Sequence, residues 1–260
     1  MLDAVRPHFG GMTLLPVLAA PDFSTEIAEL ARAYVRANGP VMTLVNRLGG
    51  GIEKYIAALP PKVGVEVERI TARGLALAFG AGARVPELGR RGTMAAAVAS
   101  GVVGGAGGLL TSMAELPVTI TVILSAIQAE ARAAGFDPAE PAVRAACLQT
   151  FAAGSPLARD DGVNSGFVSV RLTLTGPALQ RLIASVAPKL ATALGQKLAA
   201  QAVPVLGALS GAALNAAYLG YYREMARIRF ALMRLSVRHG AEAVVAAFAA
   251  AADPSKIVKA

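Results

Sequence analysis

The 260-residue chain is 55% hydrophobic but only 5% aromatic, and it contains no tryptophan. Charged residues make up 16% of the sequence, below the roughly 25% that is typical of soluble domains, so apolar surface is expected. The net charge of +8 favours an anionic partner. Because aromatic residues are not interleaved with the basic ones, the composition argues against nucleic acid and favours a membrane. The single cysteine, Cys147, excludes an intrachain disulfide and is predicted to be a small core residue.

The N-terminal segment carries an apolar run after Arg6, but Asp3 and Pro16 make it a poor signal peptide. We therefore predict an N-terminal docking segment over residues 1–23. A helical domain over residues 24–252 and a C-terminal tail over residues 253–260 complete the predicted organisation. The expected location is the cytoplasm.

Helical periodicity begins at Ser24 and predicts a first helix that the Asn-Gly-Pro sequence at 38–40 ends. A second helix is predicted over 41–59, pausing at three consecutive glycines, and a third over 62–79. The pattern as a whole predicts an all-α protein, a single compact multi-helix domain with Gly/Ala-rich helical hairpins.

The second half of the chain continues the helical pattern. A helix is predicted over 141–151, and helical periodicity returns from Pro177 with breaks near Pro188 and Pro204. Between them, residues 168–174 alternate between apolar and polar side chains, which leaves a strand and a helix both open.

The most informative segment has no charge between Arg91 and Glu115. Its length is sufficient to cross a bilayer, since a spanning helix needs about 20 apolar residues. Its valines and leucines are weakly favourable for insertion, however, and one acidic residue within the membrane would cancel their contribution. Glu115, followed by Pro117, therefore favours a helical hairpin that is either buried in protein or inserted shallowly in a membrane.

Glycines recur at GxxxG spacing in this segment and in a second uncharged stretch between Lys197 and Arg223. Small residues at this spacing let two helices approach closely, so the two segments are predicted to pack together, around an apolar ligand or as helix contacts. The candidate residues for this role are Gly101, Gly104, Gly105, Gly108, Glu115, Gly207, Gly211 and Asn215.

The C-terminal helix predicted over 221–239 has an apolar stripe beside a row of arginines. Such a row suits an anionic membrane surface, and a solvated face with acidic neighbours is the alternative. The candidate residues for anionic-surface contact are Arg223, Arg227, Arg234 and Arg238.

No catalytic, metal-binding or cofactor-binding motif is recognised: the chain lacks HExxH, CxxC, GxSxG and GxxxxGK[ST] sequences. The polar residues that stand out in the apolar chain are predicted to form a buried network, to line a ligand cavity, or to act as an acid/base site. They are Glu115, Asn215, Asp160, Asp161, Asn164 and Arg171.

Several sequence blocks over residues 44–239 resemble the EcsC family of bacterial proteins. They include NRLGGGIE at 46–53, the Gly-rich run beginning GVVGGAGGLL at 101, and QKLAAQAVPVLGALSGAALNAAYLGYYREMARIRFALMRL at 196–235. The resemblance implies a cytoplasmic, mainly helical protein connected with an ABC transporter, and it carries over no catalytic residue.

The leading hypothesis from the sequence is a membrane-associated, non-enzymatic protein that binds lipid or another apolar ligand and uses no cofactor. Such a protein would lie at the inner face of the cytoplasmic membrane. The alternatives are an accessory subunit of an ABC transporter or membrane protease, and a hydrolase that uses Glu115 with Asp160 and Asp161.

Overall fold

The computed structural model describes residues 22–47, 61–81, 89–106, 108–151, 176–201 and 207–252. Within these ranges the secondary structure is helical, without strands, which confirms the predicted all-α single domain with Gly/Ala-rich helical hairpins. The helices are α1 (Phe23–Arg47), α2 (Pro61–Ala81), α3 (Gly89–Ala106), α4 (Gly108–Ala133), α5 (Pro141–Phe151), α6 (Gly176–Gln201), α7 (Gly207–His239) and α8 (Ala241–Ala251).

Helices α4 and α7 form the centre of the fold. Helix α4 packs against α2, α3, α5, α6 and α7, and α7 additionally contacts α1 and α8. Ile120 and Ile123 on α4 and Tyr218 and Tyr222 on α7 are fully or almost fully buried. Burial of each large apolar side chain contributes about 1.5–3 kcal/mol, so these two helices anchor the others. Helix α3 lies outside them and covers both.

Two predicted helix breaks are wrong. Helix α1 continues through Pro40 to Arg47, and α6 continues through Pro188. Proline has a helical φ and removes one backbone hydrogen bond, and burial of Leu190 and Leu194 on α6 outweighs that loss. The break predicted at Pro204, the glycines at 49–51 and the ambiguous segment 168–174 lie outside the described residues.

Cys147 lies on α5 and is fully buried, as the sequence predicts. Burial raises the pKa of its thiol to about 12 from an ordinary value of 9.0. At pH 8 the thiolate population in the folded protein is therefore about 1,000-fold lower than in the unfolded chain. Since only the thiolate reacts, the rate of alkylation should fall with that population. We expect iodoacetamide to modify Cys147 rapidly in denaturant and at least 100-fold more slowly in the native protein. A native rate within tenfold of the denatured rate would contradict this burial.

Candidate functional site

The hairpin formed by α3 and α4 is closed by hydrogen bonds across its turn. Thr111 Oγ1 and Ser112 Oγ, in the first turn of α4, both donate to the carbonyl oxygen of Gly104 at 2.8 Å. The last carbonyls of a helix have no partner within the helix, so two hydroxyls here satisfy one of them. The end of α3 is thus fixed to the start of α4.

Two glycines of α3 make room for different neighbours. A Cβ atom on Gly101 would lie 2.3 Å from the carbonyl oxygen of Gly211, so the backbones of α3 and α7 are in direct contact there. At this point the two Gly-rich helices leave no space for a ligand. A Cβ atom on Gly104 would lie 2.9 Å from Oε2 of Glu115. The first glycine therefore permits helix packing, and the second accommodates a carboxylate.

The other candidate glycines are placed less specifically. Gly105 is buried on α3. Gly108 and Gly207 are the first residues of α4 and α7, and their surroundings lie outside the described part of the chain.

Beneath the hairpin, Glu115 forms a buried ion pair with Lys197 of α6. Lys197 Nζ lies 2.9 Å from Oε2 of Glu115 and also donates to Thr119 Oγ1 at 3.2 Å, while Thr119 donates to Oε1 of Glu115. Lys197 is 0% exposed and Glu115 is 6% exposed. Burial lowers the pKa of Lys197 from its ordinary value of 10.5, since desolvation of the ammonium outweighs the attraction of Glu115. The pair joins α4 to α6.

Asn215 extends this cluster to α3 and α7. Its Nδ2 donates to Oε1 of Glu115 at 2.8 Å, and it also lies 3.0 Å from the carbonyl oxygen of Ala97 and from Ser100 Oγ. Asn215 is 2% exposed. We call the five side chains Glu115, Thr119, Lys197, Asn215 and Ser100 the polar cluster; it connects four helices at one level of the bundle.

The predicted polar residues are only partly brought together by this cluster. Glu115 and Asn215 meet as members of one network, whereas Asp160, Asp161, Asn164 and Arg171 lie outside the described residues. Sequence reasoning missed Lys197. The sequence feature that could have identified it is that Lys197 is the only charged residue between Lys189 and Arg223. A single charge on an otherwise apolar, buried helix needs a partner of opposite charge.

The hydrogen bonds and the burial of the polar cluster favour a structural role over a catalytic one. Both carboxylate oxygens of Glu115 accept hydrogen bonds from side chains, and the carboxylate is almost completely shielded from solvent. A general acid or base must reach a substrate proton, and the side chain of Glu115 is only 4% exposed. The geometry therefore supports a role in holding the hairpin.

The row of arginines on α7 does not form one exposed surface. Arg223 is buried: it donates to Thr93 Oγ1 at 2.6 Å and lies 3.8 Å from Glu130, so the expectation that it contacts an anionic surface is wrong. The helix α3 packs over this part of α7 and covers the side chain. The three exposed arginines are in ion pairs: Arg227 with Glu224, and Arg234 and Arg238 with Glu26.

The outward side of the hairpin is apolar, although solvent-facing helix surfaces are normally polar. Val103 is 67% exposed, Leu110 is 80% exposed and Val118 is 50% exposed. The exposed side chains recur every three or four residues on α3 and every four on α4, and the two stripes meet at the turn. We call these nine residues the hairpin face: Ala95, Val98, Ala99, Val102, Val103, Ala106, Leu110, Ala114 and Val118.

Among the described residues, the segment Leu110–Ala133 is long and apolar enough to cross a membrane. The most apolar stretch of this segment is 56% buried inside the fold, as in the core helix of a soluble protein. By this measure α4 resembles a core helix, and its large exposed apolar side chains, Leu110 and Val118, lie in its first half.

These features define a class of all-α protein in which a Gly-rich hairpin, fixed by a buried ion pair, turns an uncharged face outward. The chain belongs to the EcsC protein family, whose model matches residues 88–235, more than half of the chain. The matched region contains the hairpin and every residue of the polar cluster. No curated protein and no solved structure matches the chain.

The close contact between Gly101 and Gly211 predicts that a larger residue at position 101 will destabilise the fold. We expect Gly101→Ala to lower the free energy of unfolding by about 2–3 kcal/mol, because the new Cβ overlaps the backbone of Gly211 and the helices must separate. Gly64→Ala on α2 is the matched control, since nothing lies within 4 Å of a Cβ there. It should gain up to about 1 kcal/mol from helix propensity. Urea denaturation measures both, and equal effects would contradict the close contact.

Proposed function

We propose that this protein is a non-enzymatic peripheral membrane protein that inserts the hairpin face into one leaflet of an anionic membrane. The exposed apolar stripe on α3 carries the proposal. A stripe of valines and alanines on the outer side of a surface helix is costly in water and becomes favourable when it meets acyl chains.

The dimensions of the hairpin face fit one leaflet. From Ala95 to Ala106 the stripe on α3 is about 16 Å long, and from Leu110 to Val118 the stripe on α4 is about 12 Å long. The hydrocarbon core of a bilayer is about 30 Å thick, so both stripes end near the depth of a single leaflet. The proposed insertion is therefore shallow and does not span the membrane.

Charge is arranged to suit this depth. Arg90 and Arg91 are exposed at the start of α3, about 6 Å beyond Ala95, where they would meet the headgroups. The carboxylate of Glu115 falls within the inserted length, but it is buried against Lys197 and does not face the acyl chains. Insertion then leaves no unpaired charge of the hairpin in hydrocarbon.

The arginines at the C-terminal end of α7 are too distant to share this contact. With Gly101 of α3 against Gly211 of α7, Arg238 lies about 40 Å further along α7. We therefore propose that Arg90 and Arg91 contact the lipid headgroups. The proposed location of the protein is the inner face of the cytoplasmic membrane.

Co-sedimentation with protein-free vesicles tests the proposal. The purified full chain should bind phosphatidylglycerol vesicles at low salt, and binding should weaken but persist at high salt, because screening removes only the arginine contribution. Absence of binding to phosphatidylglycerol vesicles at low salt would reject the proposal.

The second candidate function is an accessory subunit of an ABC transporter or a membrane protease. Its support is the same face, since small apolar side chains pack well against transmembrane helices. Recovery of the protein only on membranes that contain a partner, and never on protein-free vesicles, would favour this candidate over direct lipid binding.

A further inference from the structure

A cleft runs along the seam between α1 and α7, on a part of the molecule separate from the hairpin face. One part of the cleft has a volume of 340 Å³ and is mainly apolar. The adjoining part has a volume of 440 Å³, and most of the residues that line it are charged. Arg36 and Ala33 line both parts, so the two are continuous.

The apolar part exists because small residues face one another across the seam. Ala33 and Ala37 of α1 lie opposite Ala217 and Gly220 of α7, with Tyr221 alongside. Glu224 also lines this part, and its carboxylate is held in an ion pair with Arg227. Nothing lies within 4 Å of a Cβ built on Gly220, so this position opens onto free space. Volumes of a few hundred Å³ lined by apolar atoms are typical of small-ligand sites.

The charged part has cations in excess. It is lined by Arg32, Arg36, Arg227 and Arg234 with two acids, Glu26 and Glu29. Arg234 is paired with Glu26, and Arg227 with Glu224. Within the described part of the chain, Arg36 forms no ion pair, and its side chain lines both the charged and the apolar part.

We propose that this cleft binds a single-chain amphiphile with an anionic head, its alkyl chain beside Gly220 and its head on Arg36. An apolar slot that ends at a guanidinium with no ion-pair partner among the described residues complements a carboxylate or phosphate carried on an alkyl chain. A neutral chain lacks the charge contact, and a free anion leaves the slot empty. The site is independent of the hairpin face, so either proposal can fail alone.

Isothermal titration calorimetry with decanoate, decan-1-ol and acetate tests the site. The folded full chain should bind decanoate at least tenfold more tightly than decan-1-ol and at least 100-fold more tightly than acetate. Equal affinity for decanoate and acetate would overturn the proposal, because the apolar part would then hold no chain. Equal affinity for decanoate and decan-1-ol would overturn it by removing the role of Arg36.

Two pairs of variants locate the binding. Gly220→Leu should weaken decanoate binding at least 30-fold by filling the slot, whereas Gly64→Leu, at an open helical position outside the cleft, should leave it unchanged. Arg36→Gln should weaken decanoate about tenfold and decan-1-ol not at all, with the exposed Arg181→Gln as its control. Wild-type decanoate affinity in Gly220→Leu would overturn the site, and unchanged vesicle binding in that variant is expected.

Discussion

Val103→Asp and Leu110→Asp are each expected to reduce vesicle binding at least 100-fold. Each substitution removes the transfer of a large apolar side chain to hydrocarbon and adds a carboxylate, which costs about 2.5–3.5 kcal/mol near the centre of a bilayer. A loss of about 2.7 kcal/mol already corresponds to a 100-fold change in affinity. The side chains are 67% and 80% exposed, so the fold itself should tolerate the change.

Two equally exposed valines away from the hairpin face provide matched controls. Val65 on α2 is 72% exposed and Val237 on α7 is 81% exposed. Val65→Asp and Val237→Asp introduce the same charge and should leave co-sedimentation with phosphatidylglycerol vesicles unchanged. If all four variants bind alike, the hairpin face is not the membrane contact, whatever the affinity of the wild type.

Lys197→Met and Glu115→Leu are each expected to lower the free energy of unfolding by about 3–5 kcal/mol. Either substitution leaves the other member of a buried ion pair without its opposite charge, in surroundings that exclude water. Urea denaturation monitored by circular dichroism measures the effect. The exposed pair of Arg69 and Glu66 on α2 is the control, and Glu66→Gln should produce no measurable change.

The double variant Glu115→Leu with Lys197→Met separates the pair from its parts. It should recover to within about 2 kcal/mol of the wild type, since apolar replacements of a buried pair remove the desolvation cost together with the attraction. Asn215 retains the carbonyl of Ala97 and the hydroxyl of Ser100 as acceptors in that variant. Additive losses in the double variant would show that the two charges do not interact.

The pKa of Lys197 adds a pH dependence with a definite sign. Because burial lowers this pKa below 10.5, the folded protein releases the proton at a lower pH than the unfolded chain does. Between the lowered pKa and 10.5 the unfolded state binds more protons, so the free energy of unfolding rises with pH. The difference between wild type and Lys197→Met should shift in favour of the wild type over this window. A shift in the opposite direction would mean that the pair raises the pKa of Lys197.

The hairpin reverses the usual distribution of residue size between the inside and the outside of a helix. Gly101 and Gly104 lie inward, where the backbone of α7 and the carboxylate of Glu115 need space, and the valines of α3 therefore face outward. A larger inward residue would push α3 away from the polar cluster. The same glycines that permit tight packing thus leave the bulky apolar residues of α3 for the exterior.

The sequence by itself determined the helical class, the Gly-rich hairpin and the burial of Cys147, because periodicity, glycine spacing and side-chain size act over a few neighbouring residues. Tertiary structure decided the rest. Lys197 is 82 residues from Glu115, and only the packing of α6 on α4 makes them a pair. Arg223 belongs by spacing to an exposed row, yet α3 covers it. Local patterns specify which face of a helix is apolar, whereas the neighbour that covers a face is chosen by packing between helices distant in the chain.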